Sequence, residues 1–110
     1  MGNNTAFRDE LIYRTNKFWT ALLTLLSINK HHPEQMEEDG YLDIFIDEQE
    51  YQMTLTRNKA FVVDYNDPKH RRGINLNPSF KMGKDYKGFP YIRLLDWYLH
   101  ETVIDKYLQE

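Results

Sequence analysis

Apolar residues between Phe7 and Leu26 recur with the period of a helix. Set at about 100° per residue, Phe7, Leu11, Phe18, Leu22 and Leu25 fall on one stripe, widened by Ile12, Trp19, Leu23 and Leu26. Asp9, Asn16, Thr20, Thr24 and Ser27 hold the opposite strip. The pattern predicts an amphipathic helix with a broad buried face, capped by Asn4 or Thr5 and ended near Lys30 by Pro33. From Tyr41 the period changes to two. Leu42, Ile44 and Ile46 alternate with Tyr41, Asp43, Phe45 and Asp47, and Tyr51, Met53 and Leu55 alternate with Gln52, Thr54 and Thr56. A third run, "AFVVDY", follows after Arg57, Asn58 and Lys59. A one-residue slip would move a strand's apolar set to the other face, so the pattern also predicts registers: Ile46 opposite Tyr51, and Leu55 opposite Phe61. The expected product is a three-stranded antiparallel meander whose inner face, ending in Phe61, Val63 and Tyr65, packs on the first helix.

Residues 66–89 break both periods. Within this long basic loop, Asn77 and Pro78 followed by Gly83 suggest a short helical turn over Ser79 to Met82. "GINLN" suggests a short edge strand through Ile74 and Leu76. The helical period returns from residue 90 to residue 109, with a peculiarity. Ile92, Leu95, Leu99 and Val103 form one stripe, filled out by Tyr91, Leu94 and Tyr98, while Trp97, Ile104 and Leu108 form another on the far side. A helix apolar on two sides is normally covered on two sides. The fold class is therefore α+β: N-terminal amphipathic helix, three-stranded meander, long basic loop with a short helical turn, C-terminal helix.

Composition sets the scale of this picture. With 110 residues the chain makes a single domain, residues 1–110, able to bury a core without staples. At 41% hydrophobic, 28% charged and 15% aromatic it belongs with folded globular chains. Cysteine is absent, which removes disulfides and thiolate metal sites and favours a reducing compartment. "MGNNTAFRDE" lacks the basic and apolar regions of a secretory signal, so a cytoplasmic location is expected. The longest apolar run, "FWTALLTLLSI", falls short of the ~20 residues of a membrane span.

Searching for chemistry yields little. Asp96 and His100 have the i, i+4 spacing of two ligands on one helix face, but zinc wants three or four, and an exposed helical pair is the commoner meaning. His31 and His32 read as favourable cations at a helix C-terminus. "MGKD" offers Gly83 and Lys84, yet Pro78 stands where a phosphate-binding loop begins with glycine, and Asp85 stands where it needs Ser or Thr. No GxGxxG, GxSxG or HExxH is present. No catalytic residue, metal ligand or cofactor is expected, and an enzyme without local motifs ranks third among the functional readings.

Charge distribution carries more. Residues 34–50 hold eight carboxylates and no Lys or Arg, whereas residues 69–87 hold Lys69, Arg71, Arg72, Lys81, Lys84 and Lys87 against Asp85 alone; the net charge of −3 hides this dipole. One reading folds the basic loop over the acidic segment of the same chain, in surface pairs worth ~0–1 kcal/mol each. A second brings the two together across an interface, with a protein partner or in a homodimer. A third places the six cations on phosphates while Phe80, Tyr86 or Phe89 stacks on bases. The sequence pI near 5.8 counts against that one. The same aromatics more commonly pin a loop to its core. On the outer sheet face Tyr41, Phe45 and Val62 would stand among Asp43, Thr54 and Thr56, a patch of interaction type unless the final helix covers it.

The leading expectation is a non-enzymatic protein-binding module: an adaptor, a chaperone, or a small inhibitor of the kind viruses and mobile elements encode. Its contact residues are Tyr41, Phe45, Val62, Trp97, Ile104 and Leu108, assisted by the basic loop. The runner-up is a nucleic-acid-associated protein using residues 66–89; no membrane partner is expected.

Overall fold

In the computed structural model, residues 2–47, 51–58, 60–65, 69–75 and 90–108 are described. The order of elements is α1 (Gly2–His31), α2 (Pro33–Asp39), β1 (Tyr41–Asp47), β2 (Tyr51–Thr56), β3 (Ala60–Asp64), β4 (Arg71–Asn75), α3 (Pro90–Leu99), a π turn (His100–Ile104) and α4 (Asp105–Leu108). The class is α+β, with four antiparallel strands in the order β1-β2-β3-β4. The three-stranded expectation is thus corrected. The fourth strand begins three residues before Ile74 and takes Arg71 and Arg72 out of the long loop. The short turn expected at Ser79 to Met82 lies outside the described residues.

The sheet's registers follow from side-chain alternation. Leu42 pairs with Leu55 and Ile44 with Met53, and Leu55 pairs in turn with Phe61. These are the pairings the apolar pattern demands, continued one rung further by Phe61 opposite Ile74. One departure occurs at the end of β1. A bulge between Phe45 and Asp47 sets Asp47, rather than Ile46, opposite Tyr51. The extra residue lets Ile46 and Asp47 both turn inward, and both are buried.

Helix α1 supplies Phe18, Ala21, Leu22 and Leu25 to the core, all nearly inaccessible. Its buried stripe is narrower than the sequence suggests, because Ile12 and Leu23, placed on the margin of the apolar face, are exposed. Pro33 breaks α1 but starts α2 as its first residue, a position where the missing N–H costs nothing. α2 ends on Gly40 at φ +83°, with the Gly40 N–H donating to the Met36 carbonyl. It is an amphipathic helix of about two turns that seats Met36 in the core. The sequence stretch reads as a solvated acidic run, since six of its seven residues are polar or proline.

The final helix contains the second irregularity. Leu94, Tyr98 and Val103 are fully buried, with spacings of four and then five residues. A regular α-helix would carry the five-residue step off the core face. The π turn adds one residue to a single turn and keeps the stripe in line. This is why a strict 100° projection divides the helix into two apolar stripes. The helix has one core face, interrupted by an inserted residue. Tyr107, in the turn after Val103, meets the Phe7 ring edge-on at 5.2 Å.

α1 and α3 lie on the inner face of the sheet, where Tyr51, Met53, Leu55, Phe61 and Val63 are buried beneath them. Among the described residues no helix is long and apolar enough to cross a membrane.

Candidate functional site

Two places in the fold gather side chains with chemical potential, one buried and one open. The buried one is built on the bulge of β1. Asp47 accepts a hydrogen bond from the Tyr98 hydroxyl at 2.8 Å through Oδ2 and one from the Tyr51 backbone N–H at 2.9 Å through Oδ1. The Arg14 guanidinium completes an ion pair with the same Oδ2 and lies 3.4 Å from the Tyr98 hydroxyl. Asp47 is 2% exposed and Arg14 15%, so the charge pair sits in the protein interior. Its surroundings are aromatic: the Phe18 ring tilts against Tyr98, Tyr51 meets Tyr98 edge-on at 5.4 Å, and Trp97 meets Tyr51 edge-on at 6.4 Å. Burial, with help from Glu101 and Asp47, pushes the Tyr51 phenol up to about 12. Tyr98 is raised too, first by burial; its contact with Arg14 offsets part of that and Asp47 adds to it. Tyrosines held neutral against a buried ion pair tie α1, β1 and α3 together, and that is a structural function.

The outer sheet face is the open place. Tyr41 and Phe45 are about half exposed, at 47% and 50%, while Leu42 and Ile46 of the same strand are buried. The registers define its layout. Asp43, Thr54, Val62 and Gly73 form one row across the sheet, and Phe45, Gln52, Asp64 and Arg71 form the next. Tyr41 and Phe45, four residues apart on β1, stand about 14 Å apart on either side of Asp43. Val62 is partly exposed in the middle of the face. A Cβ added at Gly73 would lie 3.3 Å from the Val62 Cγ2, so Val62 already leans over the bare backbone of β4.

Charge is distributed between the two edges of this face. Beside β1, a shallow depression of about 300 Å³ runs along α2, lined by Glu38, Asp39 and Asp43 with Tyr41. Arg71 is exposed on this face of β4, three strand spacings or about 14 Å away, whereas Arg72, paired with buried Val63, belongs to the inner-face row. Arg71 thus lies a sheet's width from the acidic residues of α2 and β1 among the described residues.

The remaining expected contact residues are scattered. Trp97 and Ile104 are half-buried in the helical layer and Leu108 is 74% exposed on α4, all on the other side of the sheet from Tyr41, Phe45 and Val62. Trp97 packs against the core and spends its ring on Tyr51. Lys69 is exposed in the turn between β3 and β4, and Lys81, Lys84 and Lys87 lie outside the described residues.

The histidines serve local pairs. His100 Nδ1 is 3.0 Å from Asp105 and Nε2 is 3.7 Å from Asp96; the hydrogen bond to Asp105, then the charge of Asp96, raises its pKa above the usual histidine value. His70 Nδ1 reaches Glu101 at 2.8 Å and so clasps the β3–β4 connection to the π turn. Among the described residues no group of three or more His, Asp or Glu is arranged to hold a metal ion.

Asp47 is the important residue that sequence reasoning misassigned. Alternation puts it on the outer face, and the sole hint against this was a carboxylate at the end of an apolar strand facing an Arg one helix away. The chain matches no protein-family model, no curated protein and no solved structure.

Proposed function

We propose that the protein is a non-enzymatic protein-binding module, an adaptor, chaperone or small inhibitor, whose contact surface is the outer face of the sheet centred on Tyr41, Phe45 and Val62. One observation carries this reading. The helices of the described chain pack on the inner face, and the opposite face keeps two large aromatic side chains about half in water. Exposed apolar surface ringed by polar residues is the usual mark of a contact surface. Aromatic anchors of this kind supply most of the energy where protein interfaces have been dissected. The carboxylates along the β1 edge add a field that favours a cationic approach.

Compared with the sequence-based expectation, the proposed surface is smaller and better defined. Trp97, Ile104 and Leu108 are not contiguous with it, and Trp97 is already occupied. Replacing Phe45 by a photo-crosslinking amino acid, with a second copy of the probe at exposed Ser27 on α1 as a control, tests the reading in the cell that makes the protein. Position 45 is expected to yield a discrete protein adduct that position 27 does not. An adduct with nucleic acid, or no adduct at position 45, overturns it.

A further inference from the structure

We infer that the outer sheet face is closed by a second copy of this chain, sheet upon sheet, about a two-fold axis that runs parallel to the strands. The inference rests on the reading of this face as a protein contact surface and names its occupant.

Two sheets that stack with strands nearly aligned can be related by a two-fold axis lying between them in one of two directions. An axis across the strands sets β1 over the partner's β1, acidic edge on acidic edge, and the β4 edge with Arg71 over the partner's β4. An axis along the strands sets β1 over the partner's β4. Glu38, Asp39 and Asp43 then approach Arg71 of the second copy, and the same contact is made twice. Like charges brought face to face oppose association and unlike charges direct it. The dipole across the sheet therefore selects the second arrangement.

The rows of the sheet sharpen it. Rotation about an axis parallel to the strands preserves position along them, so each row meets its own row reversed. Phe45 comes over the Arg71 position, an aromatic ring on a guanidinium. Gln52, whose side-chain amide can donate, comes over Asp64. Thr54 comes over Val62, and Asp43 comes over Gly73, where the missing side chain leaves room and the Arg71 row is the next one along. No charged side chain falls on its like, and the partly exposed Val62 gains cover near the axis. The natural twist of the sheets turns them by about 30° from strict alignment, which loosens the outer pairs and leaves those near the axis intact.

Size fixes the strength. Four strands about 4.8 Å apart and about five residues long make a face of roughly 19 Å by 17 Å. That is smaller than the ~800 Å² per partner of a standard interface. The dimer is accordingly weak and reversible.

Sedimentation equilibrium of the full chain over a wide concentration range tests the inference. The apparent mass is expected to rise from 13.3 kDa toward twice that value. Asp43→Lys and Arg71→Glu, each checked for an unchanged thermal melt, are each expected to weaken self-association by about tenfold, because every reversal acts at both symmetric contacts. An equimolar mixture of the two variants is expected to recover dimers, since each supplies the charge the other now lacks. A monomer at all concentrations, variants that associate like the parent chain, or a mixture that stays monomeric would each overturn it. The photo-crosslinking result separates this failure from the failure of the broader reading. An adduct of Phe45 heavier or lighter than two chains, with a monomeric purified protein, removes the self-association and leaves a contact surface for another protein.

Discussion

Asp47 offers the most demanding test of the interior. Asp47→Ala removes the acceptor of the Tyr98 hydroxyl and of the Tyr51 N–H, and it removes the carboxylate that balances the Arg14 guanidinium. Breaking one partner from a buried ion pair costs roughly 3–5 kcal/mol, and an unsatisfied buried hydroxyl or amide adds roughly 1–3. These losses share one site and do not add, so about 4–5 kcal/mol is the expected total. Against a whole-domain stability of roughly 5–15 kcal/mol this is a large share. With a urea slope of about 2 kcal/mol per molar, the midpoint moves down by about 2 M. Asp47→Asn keeps an acceptor for the Tyr51 N–H and should lose about half as much. The double variant Arg14→Met/Asp47→Leu removes both charges together and should be markedly more stable than Asp47→Ala, with a coupling of at least about 2 kcal/mol in the double-mutant cycle. Urea unfolding followed by tryptophan fluorescence and far-ultraviolet dichroism measures these three variants together with the single variants Arg14→Met and Asp47→Leu that complete the cycle. A cost below about 1 kcal/mol for Asp47→Ala with an unchanged slope, or strict additivity in the cycle, would refute a sealed network at the bulge.

Three further outcomes follow from the same coordinates. Gly40→Ala has open space for its methyl group but must hold φ near +83°, so it should cost about 1–2 kcal/mol in urea, and Gly40→Asn less; a neutral Gly40→Ala would show that the cap of α2 does not matter. Deleting Thr102 should convert the π turn to an ordinary helical turn and return Val103 to a four-residue step from Tyr98, whereas deleting Asp96 should rotate Tyr98 and Val103 off the core; the first variant should remain folded with a sharp urea transition and the second should not. At alkaline pH the folded Tyr51, raised to about 12, keeps its proton while the unfolded chain releases it near 10. Stability should therefore be intact below pH 10 and decline as the pH rises toward 12, and Tyr51→Phe should flatten part of that decline; a urea midpoint constant across this range would contradict the assignment.

Much of this fold can be read before any coordinates. Alternation in "YLDIFID", "EYQMTLTR" and "AFVVDY" determines both hairpin registers, because burying one face leaves a single consistent pairing. The exposure of Tyr41 and Phe45 follows from the same alternation. Three features escape it, each for a physical reason. The bulge at Ile46 and the π turn at His100–Ile104 are one-residue insertions, and a periodic projection registers an insertion as a change of face. Hence Asp47 was expected outside, and the final helix was expected to have two greasy sides. α2 combines Pro at its first position with Gly after its last, a legible pair of signals. Its acidic composition obscured the single buried methionine that holds it. The proposed contact surface was half legible: Tyr41, Phe45 and Val62 do gather on one face, but which helix residues lie beside them depends on where the helical layer sits, and no spacing within one element records that.

The position of α1 in the chain bears on how the molecule is made. It touches β1, β2, α2, α3 and the π turn, so most later elements are assembled against it. On a ribosome it emerges before any of them, with Phe18, Leu22 and Leu25 still in search of cover. The Arg14 side chain waits for Asp47 and then for Tyr98, 84 residues downstream, before its charge is enclosed. Synthesis at about 5–20 residues per second leaves that helix unsheltered for several seconds. A chain of this design can seal the Arg14–Asp47 pair only once the helix carrying Tyr98 has emerged.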